Sequence, residues 1–189
     1  MANKSGSLPP LIKQIVVAFR RGGWIGFWVQ LVLAAISSLS LLFAVFSSRN
    51  VNRNVSNPGT GFGLLFAACG LILLCVSVYW AYRYTRLSNR LEAPNRSLHP
   101  KKKEMVKALR IGLTINMVGI LLTLLGAEAT IGLLLAKSLS QGQTLVFNDP
   151  NRLIQPLDIL VVQSNTNIIA AHFVGLVTSF WLFNRLDQP

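Results

Sequence analysis

The chain has 189 residues, 52% of them hydrophobic, and a formal net charge of +12. Four apolar runs take up nearly half of that length, which leaves no room for a separate soluble domain. A soluble nucleic-acid binder of this charge would not hold apolar runs so long, so the Lys/Arg excess reads as a topology and lipid signal and nucleic acid is not an expected partner.

Residues 8–21, LPPLIKQIVVAFRR, read as a short amphipathic helix lying on the membrane. Leu11, Ile12, Ile15, Val16 and Phe19 share one face, and Lys13, Gln14, Arg20 and Arg21 fall largely on the other. That is the pattern of an interfacial helix drawn to anionic lipid. Gly22-Gly23 then lets the chain turn into the first span.

The apolar runs cover residues 24–46, 62–82, 111–136 and 166–183. A hydrocarbon core of about 30 Å is crossed by about 20 apolar residues in a helix. The first three runs meet that length comfortably and the fourth narrowly. The expected fold is therefore all-α: a single polytopic domain of four transmembrane helices, preceded by the interfacial helix. The first run begins too late and is too long for a cleavable signal core. Cys69 and Cys75 stand six residues apart in the second run, on different faces of a helix, and read as small apolar packing residues.

The connecting segments set the expected sidedness. Fourteen of the eighteen Lys and Arg residues lie in the N-terminal segment, in 83–110 or in the C-terminal tail. Arg49, Arg53, Lys137 and Arg152 lie on the other side. The Lys/Arg excess marks cytoplasmic segments, so both termini and the basic loop 83–110 are expected to be cytoplasmic, or stromal in a plastid. Trp24, Trp28, Trp80 and Trp181 all fall at that same interface, where amphipathic rings are favoured. Loop 47–61 is polar and turn-rich, with a formal glycosylation sequon at Asn54 that reads as incidental. Segment 138–164 holds FNDPNR and then LIQPLDILVVQ. Its Pro156 and Asp158 argue for an interfacial stretch leading into the fourth span.

The third span carries the most pattern. Gly112, Asn116, Gly119, Thr123, Gly126 and Thr130 follow a 4-3-4-3-4 spacing and form one stripe. Close backbone approach and interhelical hydrogen bonds drive packing in lipid, so the stripe reads as a helix–helix seam. A polar pathway lining is the alternative. The fourth span repeats the pattern with Asn165, Ile168, His172, Gly175 and Ser179; the first has a fainter version in Gln30, Ala34, Ser37, Leu41 and Ala44.

Glu128 is the only acidic residue inside a span. An ionisable group in hydrocarbon is costly and usually faces protein or water. At ~100° per residue it lies about 160° from the glycine stripe, on a face with Leu121, Leu124, Ile131 and Leu135. His172 is the other intramembrane ionisable residue. Both are placed in the non-cytoplasmic half of the bilayer by their distance from the span ends, so a Glu128–His172 pair is geometrically reasonable. Helped by Asn165 or Asn167, it would carry protons or contact a divalent cation. The simpler reading, in which each side chain only hydrogen-bonds a neighbouring helix, is preferred over that pair. No phosphate loop, nucleophile–base–acid set or metal-hydrolase spacing occurs, and two histidines and six acids make a poor basis for catalysis. An enzyme is not expected, nor a required cofactor, although a metal cation is a candidate cargo.

Two strings, KALRIGLTINMVGILLTLLGAEATIGLLLAKSLSQ at 107–141 and QPLDILVVQSNTNIIAAHFVGLVTSFWLFNRL at 155–186, are specific. They resemble the cyanobacterial relatives in the family of the chloroplast inner-envelope protein called both Tic twenty-one and permease in chloroplasts. The resemblance implies a four-helix protein of plastid envelope or of cyanobacterial plasma or thylakoid membrane. It also implies one of two roles, iron permeation or association with the protein-import translocon. The lack of a Ser/Arg-rich transit extension suggests a cyanobacterial member. The leading expectation is thus a small, oligomeric permease for a metal cation such as iron. The rival is a structural or assembly factor bound to a larger membrane complex.

Overall fold

Each apolar run is the middle of a longer helix. The structure, a computed structural model, describes residues 10–51, 58–93, 99–141 and 156–187. Within them run α1 (Pro10–Val51), α2 (Pro58–Leu91), α3 (Lys102–Gln141) and α4 (Pro156–Asp187). Proline opens three of the four, a position where its missing N–H costs nothing and its fixed φ suits a helix. Glu104 and Asp158 sit in the first turns of α3 and α4, where a carboxylate meets the positive end of the helix dipole. All four helices are long and apolar enough to cross a membrane, and no strand occurs among the described residues. The all-α, four-span fold read from the sequence is the observed one, and the chain is a multi-pass integral membrane protein.

The helices form an up-and-down bundle. α1 packs on α2 and α4, α3 packs on α2 and α4, and α2 meets α4 across a diagonal. At ~1.5 Å per residue the 42 residues of α1 are about twice as long as a ~30 Å hydrocarbon core. The helices therefore project well beyond lipid.

That overhang corrects three expectations. No separate interfacial helix precedes α1, because the chain stays helical through Gly22-Gly23. The apolar face of residues 12–19 is real, but it covers protein and not lipid. Val16, Ala18 and Phe19 are buried against Tyr84, Leu87 and Leu91 of α2, Met105 and Leu109 of α3, and Leu182 and Leu186 of α4. An amphipathic face does not specify its partner, and here three overhanging helices reach far enough to supply it. Gly22 and Gly23 are not a turn; they let Trp181 and Thr85 lie directly against α1.

The basic segment 83–110 is likewise mostly helix, since α2 runs to Leu91 and α3 starts at Lys102. The stretch 156–165 is the first part of α4 and not an interfacial approach: Pro156 begins the helix instead of breaking it. The Asn54 sequon, the FNDPNR string and Arg96 lie outside the described residues.

A second apolar cluster, Ala34, Leu41, Ala67, Leu74, Ile168 and Ala171, fills the opposite half of the bundle. α2 and α3 pack backbone to backbone at Gly126, where an added Cβ would lie 3.2 Å from both Ala67 N and Gly63 O. Gly132, two turns along, has nothing within 4 Å of such an atom. We expect Gly126→Ala to lower thermal stability in detergent by about 1–3 kcal/mol, the usual cost of overpacking against groups that do not yield. Gly132→Ala should leave it unchanged or slightly raised. Equal melting temperatures for the two variants would contradict the close α2–α3 approach.

Candidate functional site

The centre of the bundle is polar. Gln30 of α1, Ser77 of α2, Asn116 of α3 and His172 of α4 are all buried, Gln30 and His172 completely. They converge on one atom, the Oδ1 of Asn116. Ser77 Oγ donates to it at 2.7 Å, and Gln30 Nε2 stands 3.4 Å away. His172 Nδ1 lies at 3.1 Å. The Asn116 amide is held in that orientation because its Nδ2 donates to the Gly112 carbonyl at 2.9 Å. Gln30 Nε2 also reaches Ser77 Oγ at 3.0 Å and the Ala171 carbonyl at 3.1 Å. One side chain from each helix thus enters a single network.

The far side of the His172 ring meets another acceptor, the Gly70 carbonyl, 3.2 Å from Nε2. A neutral imidazole has one N–H to give, while an imidazolium has two. His172 is therefore the one group of this network that changes its hydrogen-bond count on taking up a proton. Two glycines make the space. A side chain at Gly119 would collide with the His172 ring, and one at Gly175 with the Gln30 amide.

Polar groups continue along the axis in both directions. Toward the tryptophan-bearing end, Tyr84 OH lies 3.0 Å from Ser179 Oγ, beside a cavity of about 10 Å³ that Gln30, Ser77 and Asn116 also line. Toward the other end, Ser37 Oγ donates to the Ser164 carbonyl at 3.4 Å. Neither side-chain atom of the fully buried Asn165, nor Gln30 Oε1, has a hydrogen-bond partner among the described residues. These three atoms are where the polar account of the core does not close, and an unpaired buried amide is costly.

The residues singled out in the sequence divide into two groups. Gly112, Asn116, Gly119, Thr123, Gly126, Thr130, Asn165, His172, Gly175 and Ser179 are all buried in the bundle. Thr123 and Thr130 satisfy their hydroxyls on the carbonyls of Gly119 and Gly126, at 2.7 and 2.8 Å. Glu128 and Asn167 are elsewhere. Glu128 is exposed, in a strip with Leu121, Leu124, Ile131 and Leu135. Asn167 Oδ1 accepts from Gln163 Nε2 at 3.2 Å on an exposed face of α4. The Glu128–His172 pair is not formed, because Glu128 projects from the face of α3 opposite the one that His172 packs against. No group of three His, Cys, Asp or Glu side chains is placed to hold a metal ion among the described residues. Ser77 escaped the sequence reading. It lies in the second span, where no polar stripe marks it, and only its position opposite Asn116 reveals it.

The geometry defines a class: a helical multi-pass membrane protein whose bundle is locked by a buried polar core. The particular family follows from comparison. Residues 9–187 match the family described as "Protein of unknown function (DUF3611)", and the chain belongs to it. The chain is similar to "Protein TIC 21, chloroplastic" of Arabidopsis thaliana, with 34% identity over 176 residues. The alignment covers 90% of this chain and 57% of that protein, so the chain spans a little over half the length of that relative. No solved structure matches the chain. The likeness to the Tic twenty-one family drawn from 107–141 and 155–186 thus holds along most of the sequence.

Asn116→Ala removes the shared acceptor, so the Ser77 O–H proton and one His172 nitrogen lose their partner, although Ser77 Oγ still accepts from Gln30. We expect a loss of about 2 kcal/mol in detergent unfolding, between the soluble value for orphaned buried donors and the smaller value for membrane hydrogen bonds. A double-mutant cycle of Asn116→Ala with Ser77→Ala should give a coupling of about 0.6–1.7 kcal/mol. Strict additivity would remove the hub.

Proposed function

We propose that the protein is a non-catalytic subunit of a membrane assembly, joined to its neighbours through the Glu128 face of α3. The observation that carries this reading is the position of Glu128. It stands about nine residues inside the span from Lys137, in the midst of exposed leucine and isoleucine side chains. A carboxylate facing lipid there costs on the order of 2.5–3.5 kcal/mol even on the lenient insertion scale. A protein surface against this strip, either a second copy or another subunit, removes that cost. The similarity to a chloroplast TIC protein supports a place in a larger complex.

A metal-cation permease, with iron as the candidate cargo, is the second reading, and the same residue favours it. The interior of one protomer offers neutral donors, closed off at His172 and Asn116. Several copies meeting at the α3 strip would bring carboxylates together, so a route would run between protomers and not through one. Under both readings the arginine-rich end faces the cytoplasm or stroma, in a cyanobacterial plasma or thylakoid membrane or a plastid envelope.

Crosslinking from Leu124→Cys and Ile131→Cys in native membranes tests the interface. We expect adducts in multiples of the chain mass for a homo-oligomer, or stoichiometric foreign subunits for a mixed complex; a protomer that never crosslinks contradicts both. If the permease reading holds, Fe²⁺ uptake into liposomes should fall about tenfold or more in Glu128→Gln, as for loss of a charged ligand. An inert wild-type protein would leave only the assembly role. For sidedness, an external thiol reagent on intact cells should label Asn54→Cys and spare Lys103→Cys; the reverse pattern would invert the topology.

A further inference from the structure

The basic end of the bundle holds a feature that neither the polar core nor the Glu128 face uses. A cavity of about 300 Å³ opens there between α2 and α3. Arg83, Arg86 and Arg90 line it from α2, with the rings of Tyr79 and Tyr82, and Glu104 faces them from α3. The arginines are three and four residues apart, which sets them on one side of the helix. All three are exposed, and the side chains of Arg86 and Arg90 form no hydrogen bond or ion pair among the described residues. The wall behind them is tied across the two helices. The Arg83 guanidinium lies 4.7 Å over the Trp80 ring, and Trp80 Nε1 donates to the Ala108 carbonyl of α3 at 2.7 Å.

Three guanidinium groups against one carboxylate favour an anion, and a planar guanidinium grips phosphate oxygens in pairs. The same face of α2 continues into the membrane. Ile72, Val76 and Tyr79 fall in register with Arg83, Arg86 and Arg90, and they are 65%, 39% and 59% exposed. An apolar strip thus leads straight into an arginine-lined cavity at the level of the aromatic belt. A soluble anion or an acidic peptide has no use for that strip; a diacyl lipid uses both parts. Glu104 narrows the choice, because it disfavours a doubly charged headgroup and calls for a hydroxyl donor.

We propose that this cavity is a binding site for an anionic phospholipid with a singly charged phosphodiester and free headgroup hydroxyls. The phosphate sits among Arg83, Arg86 and Arg90, a headgroup hydroxyl donates to Glu104, and an acyl chain lies along Ile72 and Val76. Basic recesses between helices at a membrane surface are suited to such headgroups.

The test is native mass spectrometry of the full chain in a nonionic detergent with equimolar phosphatidylglycerol and phosphatidylcholine. Wild type should retain phosphatidylglycerol preferentially. Arg86→Gln with Arg90→Gln should lower that preference about tenfold or more, and Arg86→Lys with Arg90→Lys should recover part of it. Lys13→Gln with Arg21→Gln removes the same charge from the same end, outside the cavity, and should leave the preference intact. Both arginines lie on the exposed face, so the glutamine pair should melt with wild type. If it does not, the lysine pair against the Lys13/Arg21 pair decides: reduced preference in the lysine pair alone supports the site, and a shared or absent effect overturns it. No preference in wild type, or an equal fall in the two glutamine pairs, overturns the site. Displacement of the lipid by inorganic phosphate, with the same dependence on Arg86 and Arg90, assigns the cavity to a soluble anion and overturns the lipid reading.

Discussion

One amide oxygen, Oδ1 of Asn116, is the point on which the four helices agree. In lipid there is no hydrophobic force to draw apolar helices together, so packing and interhelical hydrogen bonds must do it. Asn116 offers an acceptor that α1, α2 and α4 each approach with a donor group. Its own amide nitrogen is bound to Gly112, which stops the group from turning away. The shared acceptor sets the rotation of every helix about its axis at one level. Gly119 and Gly175 follow from that constraint, because the imidazole and the glutamine amide need the volume that a Cβ would occupy.

Two kinds of physics hold the two halves of the bundle. The half beyond the tryptophans is a water-driven core of Phe19, Leu87, Leu109 and Leu182 inside a basic shell, stabilised as a soluble bundle is. The lipid half relies on small residues, back-bonded threonines and the polar network. At the far end Lys137 Nζ meets Asp158 Oδ2 at 2.9 Å, with both side chains largely buried. That pair joins the C-terminal part of α3 to the first turn of α4, where Asp158 also complements the helix dipole. By contrast the Arg20–Glu92 pair, at 3.5 Å and half exposed on both sides, contributes little.

The two ionisable residues of the spans illustrate opposite solutions to one problem. His172 is enclosed by protein: Asn116 Oδ1 lies against one ring nitrogen and the Gly70 carbonyl against the other, with no exposure. Glu128 has no such shelter within the protomer. The interior is bonded at the Asn116 hub and unpaired at Asn165 and Gln30 Oε1, while the surface carries a carboxylate at membrane depth. The proposal of assembly, with or without ion passage, rests on that outward carboxylate.

Much of the fold was legible in order along the chain. The length and apolarity of four runs dictated four crossing helices, the Lys/Arg asymmetry pointed to one basic end, and the 4-3-4 spacing of Gly112 through Thr130 marked a seam. Each is a property of one segment and needs no neighbour. The overhang of α1, the use of Pro156 as a helix start and the partner of His172 were not legible. They depend on how far the other helices extend and on their rotational phase and axial register. The period of one helix says which residues share a face, and never which residue of another helix they will meet. Hence the sequence alone made Glu128 and His172 a plausible pair, while the packed bundle gave His172 to Asn116 and Gly70 and turned Glu128 outward.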